Sequence, residues 1–126
     1  MTYEDIVKKA KRVIKSIDTS MFKEHTAIEV VIEGEGEGAF YIEYNNVKAV
    51  VEPYEYYDND CRIRTDEKTL LAILDGKIDV AKAFSDGSIT IEGDADKAVA
   101  FAEALKKSFS KKNNSISKKS AAKGRI

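Results

Sequence analysis

The chain has 126 residues, 43% of them hydrophobic, which suits one domain whose core needs neither a metal ion nor a disulfide. Its single cysteine excludes an internal disulfide, and its apolar runs are all shorter than the roughly 20 residues of a membrane-spanning helix. The net charge of −1 divides into −9 for residues 1–105 and +8 for residues 106–126, so we expect the folded body to repel nucleic acid. The charged N-terminal segment does not resemble a secretory signal, and a cytoplasmic location is expected.

The first predicted element is an amphipathic helix over residues 3–17. Apolar side chains recur at helical spacing on one face, and Thr2 with Asp5 can form a capping box at its start. The ordinary interpretation is a helix packed on the core with a solvated face, and the alternative is a helix that also contacts an anionic membrane. The basic residues that crowd its other face are Lys8, Lys9, Lys11, Arg12 and Lys15.

Three strands are predicted next, over residues 27–33, 39–44 and 47–57. Apolar and polar residues alternate in each, as is typical of strands with one buried face. Asn45-Asn46 suits a tight hairpin turn, and Pro53 indicates that the third strand lies at a sheet edge or bulges there. Short links between consecutive strands favour an antiparallel meander.

The link between the first two strands, Glu33 to Gly38, alternates glutamate and glycine. A glycine-rich loop can hold phosphate, but three glutamates would repel an anion and a strand follows in place of a helix. We therefore expect a flexible hairpin connection, with a weak calcium site as the alternative.

A second structural pattern begins at residue 61. Residues 61–65 predict a fourth strand, and Thr65 or Asp66 can cap a helix that runs to residue 74 and stops at Gly76. Asp79 can cap a shorter helix that carries Val80, Ala83 and Phe84 and stops at Gly87.

The remainder predicts a fifth strand over residues 88–92 and a last helix over residues 95–109 with an alanine-rich apolar stripe. Residues 110–126 are polar, basic and aperiodic, and we expect a mobile tail. A single domain over residues 1–109 follows from this division.

Candidate catalytic residues are few. A Cys–His nucleophilic pair would need Cys61 and His25, but Cys61 shares a strand face with Ile63, where a cysteine usually acts as a small hydrophobe. Carboxylates are abundant, yet no spacing singles out an acid–base pair. The sequence predicts neither an enzyme nor a cofactor or metal site.

The order of elements and the spacing of apolar residues between positions 28 and 105 resemble the lipid-binding domain of sterol carrier protein type 2. This resemblance implies an α+β fold, in which a twisted, five-stranded, mostly antiparallel sheet is covered on one face by four to five helices. The residues that carry the resemblance are Thr65-Asp66, Thr69-Leu70, Ile73-Leu74, Gly76-Lys77, Ala83-Phe84, Gly87 and Ile89 to Asp94.

The resemblance also implies a hydrophobic tunnel between sheet and helices that binds sterols, fatty acids, acyl-CoA esters or phospholipids without changing them. The terminal Arg125-Ile126 does not match the targeting tripeptide of peroxisomal members, and the chain resembles stand-alone prokaryotic members, for which fatty acids are favoured over sterols. The residues implied to line the tunnel are Phe40, Ile42, Leu70, Leu74, Phe84, Ile89, Ile91, Phe101 and Leu105.

Two other hypotheses stay open beside a lipid carrier. A non-catalytic accessory module would use the same fold with a filled core and an exposed apolar patch to recruit a partner. A small hydrolase for esters or thioesters would use Cys61 or a carboxylate, and ranks last because no supporting base or oxyanion site can be named.

Overall fold

The computed structural model describes residues 2–19, 24–45 and 48–124, with side chains described as far as residue 109. These residues contain five strands and four α-helices, the α+β composition predicted from the sequence. The elements in chain order are α1 (Tyr3–Lys15), β1 (Thr26–Glu33), β2 (Gly38–Tyr44), β3 (Ala49–Glu52), β4 (Cys61–Asp66), α2 (Glu67–Leu74), α3 (Val80–Ser85), β5 (Thr90–Gly93) and α4 (Ala95–Gly124).

The strands form one sheet in the order β3-β2-β1-β4-β5. β1–β2, β2–β3 and β4–β5 pair antiparallel, and the central pair β1–β4 is parallel. The predicted mostly antiparallel sheet is therefore confirmed, with one parallel pair where the chain passes from the β3 edge to the far side of β1.

One face of the sheet packs against the helices. The alternation in β1 turns Ile28, Val30 and Ile32 to this face, where each is at most 3% exposed. The register sets Ile42 beside Ile28 and Ile63 beside Val30, and directly opposed residues project to the same side of a sheet. Burial of each such side chain contributes about 1.5–3 kcal/mol, which makes this face the main source of core stability.

Helix α1 begins as predicted, with a capping box between Thr2 and Asp5. It is anchored to the sheet by Tyr3, whose Oη donates to the carbonyl oxygen of Ala39 at 2.5 Å and whose ring lies against Gly38. The apolar stripe of α1 is buried, at Ile6, Val7, Ala10 and Ile14.

Strand β3 is shorter than the predicted span of 47–57 and ends at Glu52. The reason is Pro53, which has no N–H for a ladder hydrogen bond. Asn46, in the predicted hairpin turn, lies outside the described residues, but the backbone N–H of Asn45 donates to the carbonyl oxygen of Lys48 at 3.1 Å.

The segment 53–60 covers part of the other sheet face, and this makes one prediction wrong. Alternation in a half-buried strand turns Glu29 to the face opposite Ile28 and Val30, where a solvent-exposed carboxylate is expected, whereas Glu29 is 4% exposed. Its carboxylate accepts from Arg62 Nε at 2.5 Å and from the backbone N–H of Tyr56 at 2.9 Å. A loop contact of this kind has no periodic signal in the sequence.

Strand β5 begins at Thr90, two residues later than predicted. The backbone N–H groups of Ser88 and Ile89 both point to the carbonyl oxygen of Ala83, at 2.9 and 3.3 Å. These two N–H groups satisfy a carbonyl oxygen in the last turn of α3, so they do not pair with a neighbouring strand.

Helix α4 continues to Gly124, beyond the predicted end at residue 109. Residues 110–123 contain neither proline nor glycine, and their lysines and alanines favour helix even without an apolar stripe. The division into a domain over 1–109 and a mobile basic tail over 110–126 stays a prediction.

Candidate lipid-binding site

A small apolar cavity of about 20 Å³ lies at the boundary between the sheet and the helices. Strands β1, β2 and β4 form one wall, and helices α1, α2, α3 and α4 with Ile89, the residue before β5, form the other. Its lining residues are Ala10, Val30, Phe40, Ile42, Ile63, Thr65, Leu70, Ile73, Leu74, Val80, Ile89, Phe101 and Leu105.

Most of the predicted tunnel residues meet at this cavity. The seven that line it are each at most 6% exposed, and they come from both layers of the fold. These seven are Phe40, Ile42, Leu70, Leu74, Ile89, Phe101 and Leu105.

Phe84 and Ile91, the other two predicted tunnel residues, do not line it. Ala83 is fully buried at the centre of the inward face of α3, and Phe84, about 100° further round the helix, is 53% exposed. Ile91 pairs with Ile63 and so projects to the core side, but β5 is an edge strand and leaves Ile91 half-buried.

Six lining residues were not among the predicted tunnel residues. Alternation along β1 and β4 places Val30 and Ile63 on the sheet face that carries the predicted residues Phe40 and Ile42. A list of every strand residue on that face would therefore have included both. Thr65, the only polar lining residue, follows the same alternation, and its hydroxyl donates to the carbonyl oxygen of Asp66 at 3.3 Å. Of the other three, Ala10 lies on the apolar face of α1 that helical spacing predicts, whereas Ile73 and Val80 lie on the short helices α2 and α3, where the spacing does not decide which residues face the sheet.

The cavity is too small for a lipid as it stands. Binding sites for small molecules occupy roughly 300–1,000 Å³, and a volume of about 20 Å³ is that of a single water molecule. An empty apolar void of this size costs about 0.5 kcal/mol at roughly 24 cal/mol per Å³. A ligand can enter only if the helices move away from the sheet.

A second cavity, of about 230 Å³, lies between the α2–α3 connection and α4. Ile73, Val80 and Leu105 line both cavities, so a single layer of side chains separates the two spaces. The other residues of the second cavity are Gly76, Lys77, Ile78, Asp79, Ala102, Lys106 and Phe109.

A larger cavity of about 650 Å³ lies on the opposite sheet face, beside the Glu33–Gly38 connection. Its lining includes Glu29, Glu55, Arg62 and Arg64, and charged walls of this kind do not suit an alkyl chain. The connection itself joins β1 to β2 as a hairpin, as predicted.

Cys61 lies at the core side of β4 and is fully buried. Burial, with the nearby carboxylates of Asp60 and Asp94, raises the pKa of its thiol to about 11, so the thiol is protonated at neutral pH. His25 is engaged elsewhere, with Nε2 2.5 Å from Glu43 Oε2. These positions do not form the Cys–His pair that a thiol hydrolase requires.

Among residues 2–19, 24–45 and 48–124, no group of three or more His, Cys, Asp or Glu side chains is placed to hold a metal ion. Within the same part of the chain, no helix is both long enough and apolar enough to cross a membrane.

Solved structures with the same fold include palmitated SCP2L2 from Aedes aegypti, at 21% identity and a TM-score of 0.64, over 83% of this chain and 95% of that one. Apo sterol carrier protein 2 from Yarrowia lipolytica matches at 17% identity and a TM-score of 0.52, over 81% and 85%. The inverting sec-alkylsulfatase Pisa1 from a Pseudomonas species matches at 19% identity and a TM-score of 0.63 over 74% of this chain, which spans only 15% of that enzyme's length.

No curated protein sequence matches the chain significantly. The sequence model of one protein family matches residues 7–106. This span includes the whole sheet and every residue that lines the apolar cavity. This family is generally a non-catalytic lipid-binding fold, so the match supports lipid binding or transfer in general. The chain belongs to the SCP-2 sterol transfer family.

Proposed function

We propose that this protein binds and carries a lipid between its sheet and its helices without changing the lipid chemically. The observation that carries the proposal is the apolar cavity at the layer boundary, whose walls hold seven of the nine residues implied by the sequence resemblance. Fatty acids, acyl-CoA esters, phospholipids and sterol-like lipids all bear apolar bodies that such walls could bury.

Binding would require the two layers to separate, and we expect the helical side to move, because the strands are held together by hydrogen bonds. β1 and β4 are hydrogen-bonded on both sides within the sheet. α3 has six residues, of which only Val80 and Ala83 are buried. Each methylene of an alkyl chain buried in the opened space contributes about 0.8 kcal/mol, which offsets the apolar packing that the layers give up when they separate.

A non-catalytic role accords with the chemistry of the core. The lining is apolar except for Thr65, and the nearby Cys61 thiol is protonated at neutral pH. Among the described residues that line the cavity none is a general base, and the Thr65 hydroxyl donates its hydrogen to the carbonyl oxygen of Asp66.

Delivery to membranes would use the basic face of α1. Four of its basic residues are exposed, whereas Lys9 forms an ion pair with Asp75. Each exposed cation contributes about 1 kcal/mol near an anionic membrane surface. The four exposed residues are Lys8, Lys11, Arg12 and Lys15. A cytoplasmic location, where such membrane surfaces are present, is part of this proposal.

A second candidate function is a non-catalytic accessory module that recruits a partner protein. It is favoured by the nearly filled core and by two exposed apolar side chains, Phe84 at 53% and Val99 at 59%. In that function the core would never open, and binding would occur on the surface.

Transfer of a fluorescent fatty acid between vesicles tests the first function. A variant with Lys8, Lys11, Arg12 and Lys15 changed to glutamine is expected to accept the fatty acid normally but to transfer it more slowly between vesicles rich in phosphatidylserine. The matched control carries the same change at four exposed lysines elsewhere, Lys48, Lys68, Lys82 and Lys107. Wild-type protein that neither binds nor transfers the fatty acid would favour the accessory module.

A further inference from the structure

The cavity of about 230 Å³ has an apolar floor and a charged rim. Ile73, Val80 and Leu105 form the part of its lining that it shares with the internal apolar cavity. Phe109 packs against Gly76 at its edge, where a side chain at Gly76 would lie 3.1 Å from the Phe109 ring. An alkyl chain that passes between the three shared side chains would therefore go directly into the space between sheet and helices.

The rim of this cavity has a net positive charge. Lys77 and Lys106 lie on opposite sides of it, one on the α2–α3 connection and one on α4, and both are exposed. The one acidic residue of the lining is Asp79, whose Oδ1 accepts the backbone N–H of Lys82 at 2.7 Å and caps α3. Two ammonium groups and one carboxylate leave a charge of +1, which complements one negative charge.

The carboxylate of Asp75, next in the chain to the rim residue Gly76, is paired with a cation from outside the rim. It forms an ion pair with Lys9 of α1, and its pKa is lowered chiefly by this contact and further by the positive charge of Lys77. Because the charges of Lys9 and Asp75 offset each other, the exposed Lys77 and Lys106 still give the rim a net positive charge.

We infer that this cavity is the mouth of the lipid site and that Lys77 and Lys106 hold the head group of a single-chain lipid with one terminal carboxylate. The inference rests on the proposed carrier function. The chain enters past Ile73, Val80 and Leu105, and the carboxylate stays at the rim in water. A multiply charged phosphate or an uncharged sterol hydroxyl complements a rim of charge +1 less well.

Competition with a fluorescent fatty acid tests this assignment, with palmitate and methyl palmitate as the two competitors. The double variant Lys77→Gln, Lys106→Gln is expected to bind palmitate about two- to thirtyfold more weakly, the range for two exposed charge contacts, and methyl palmitate as tightly as wild type does. Added salt should reduce the preference of wild type for palmitate over its ester.

The control variant is Lys82→Gln, Lys107→Gln, which removes the same charge from α3 and α4 at exposed positions outside the cavity. It is expected to bind both ligands as wild type does. Equal affinities of the two double variants for palmitate, or equal weakening of acid and ester, would overturn the inference and leave the carrier function standing. Wild-type protein that binds neither ligand would overturn the carrier function itself.

Discussion

The substitution Ile42→Ala tests whether the space between sheet and helices admits a ligand. Ile42 lines the internal cavity and is 2% exposed. Ile28, its directly opposed neighbour on β1, is fully buried on the same sheet face but does not line that cavity. Ile28→Ala therefore removes the same side chain from the same layer and serves as the matched control.

Both substitutions should lower the free energy of unfolding by about 2–5 kcal/mol, the usual cost of such a truncation in a core. A chain of 126 residues has about 6–19 kcal/mol available at roughly 0.05–0.15 kcal/mol per residue, so both variants should fold. Each kcal/mol lost corresponds to a decrease in Tm of roughly 4 °C. At Ile42 the new void joins the existing one of about 20 Å³ and makes the layers easier to separate.

The assay is urea unfolding with and without palmitate. A ligand at one hundred times its Kd adds about 2.7 kcal/mol to the free energy of unfolding. Palmitate is expected to stabilise Ile42→Ala more than wild type, because its binding disrupts less of the core packing in that variant, and to stabilise Ile28→Ala no more than wild type. Equal stabilisation of the two variants would refute the assignment of this space to a ligand.

Three further predictions concern the fold and its titrating groups. The Cys61 thiol, with a pKa of about 11, should react slowly with a disulfide reagent at neutral pH and quickly once urea unfolds the chain; fast reaction of the native protein would contradict its burial. Gly38→Ala would set a methyl group 2.5 Å from the Tyr3 ring and cost about 1–3 kcal/mol; part of this cost should vanish in a Tyr3→Ala background, while the part due to the Gly38 φ of +158° should remain, and an unchanged cost in that background would contradict the contact. The N–H of Thr69 lowers the pKa of the capping Asp66 below its ordinary value of 3.8. The contribution of the ionised cap to the free energy of unfolding is therefore fully present above pH 3.8 and is lost as the pH falls through the pKa of the folded state. Asp66→Ala should cost about 1 kcal/mol at pH 7, whereas Asp66→Asn should keep the cap and flatten the acid limb of the stability profile; unchanged acid limbs in both variants would contradict the assignment.

The predictable parts of this fold are those set by local chemistry. Alternation in β1 and β2 fixes which residues face the core, because successive strand side chains project to opposite faces. The caps at Thr2, Asp66 and Asp79 each use a side-chain oxygen three residues before its backbone donor, and all three are confirmed.

The parts that the sequence pattern misses depend on contacts between distant segments. Glu29 is buried because a loop 27 residues later in the chain donates Tyr56 N–H to it. Phe84 points to solvent because α3 docks through Ala83, and helical spacing allows either residue to lie at the centre of the buried face. The size of the cavity depends on how closely the layers pack, which no periodic pattern reports.

Native mass spectrometry of the purified protein, before and after organic extraction and again after incubation with palmitate, tests the central claim most directly. The carrier account predicts an adduct of lipid mass that extraction removes and that palmitate replaces one-to-one. A protein that carries no adduct at any stage, and whose stability palmitate does not change, would contradict the account.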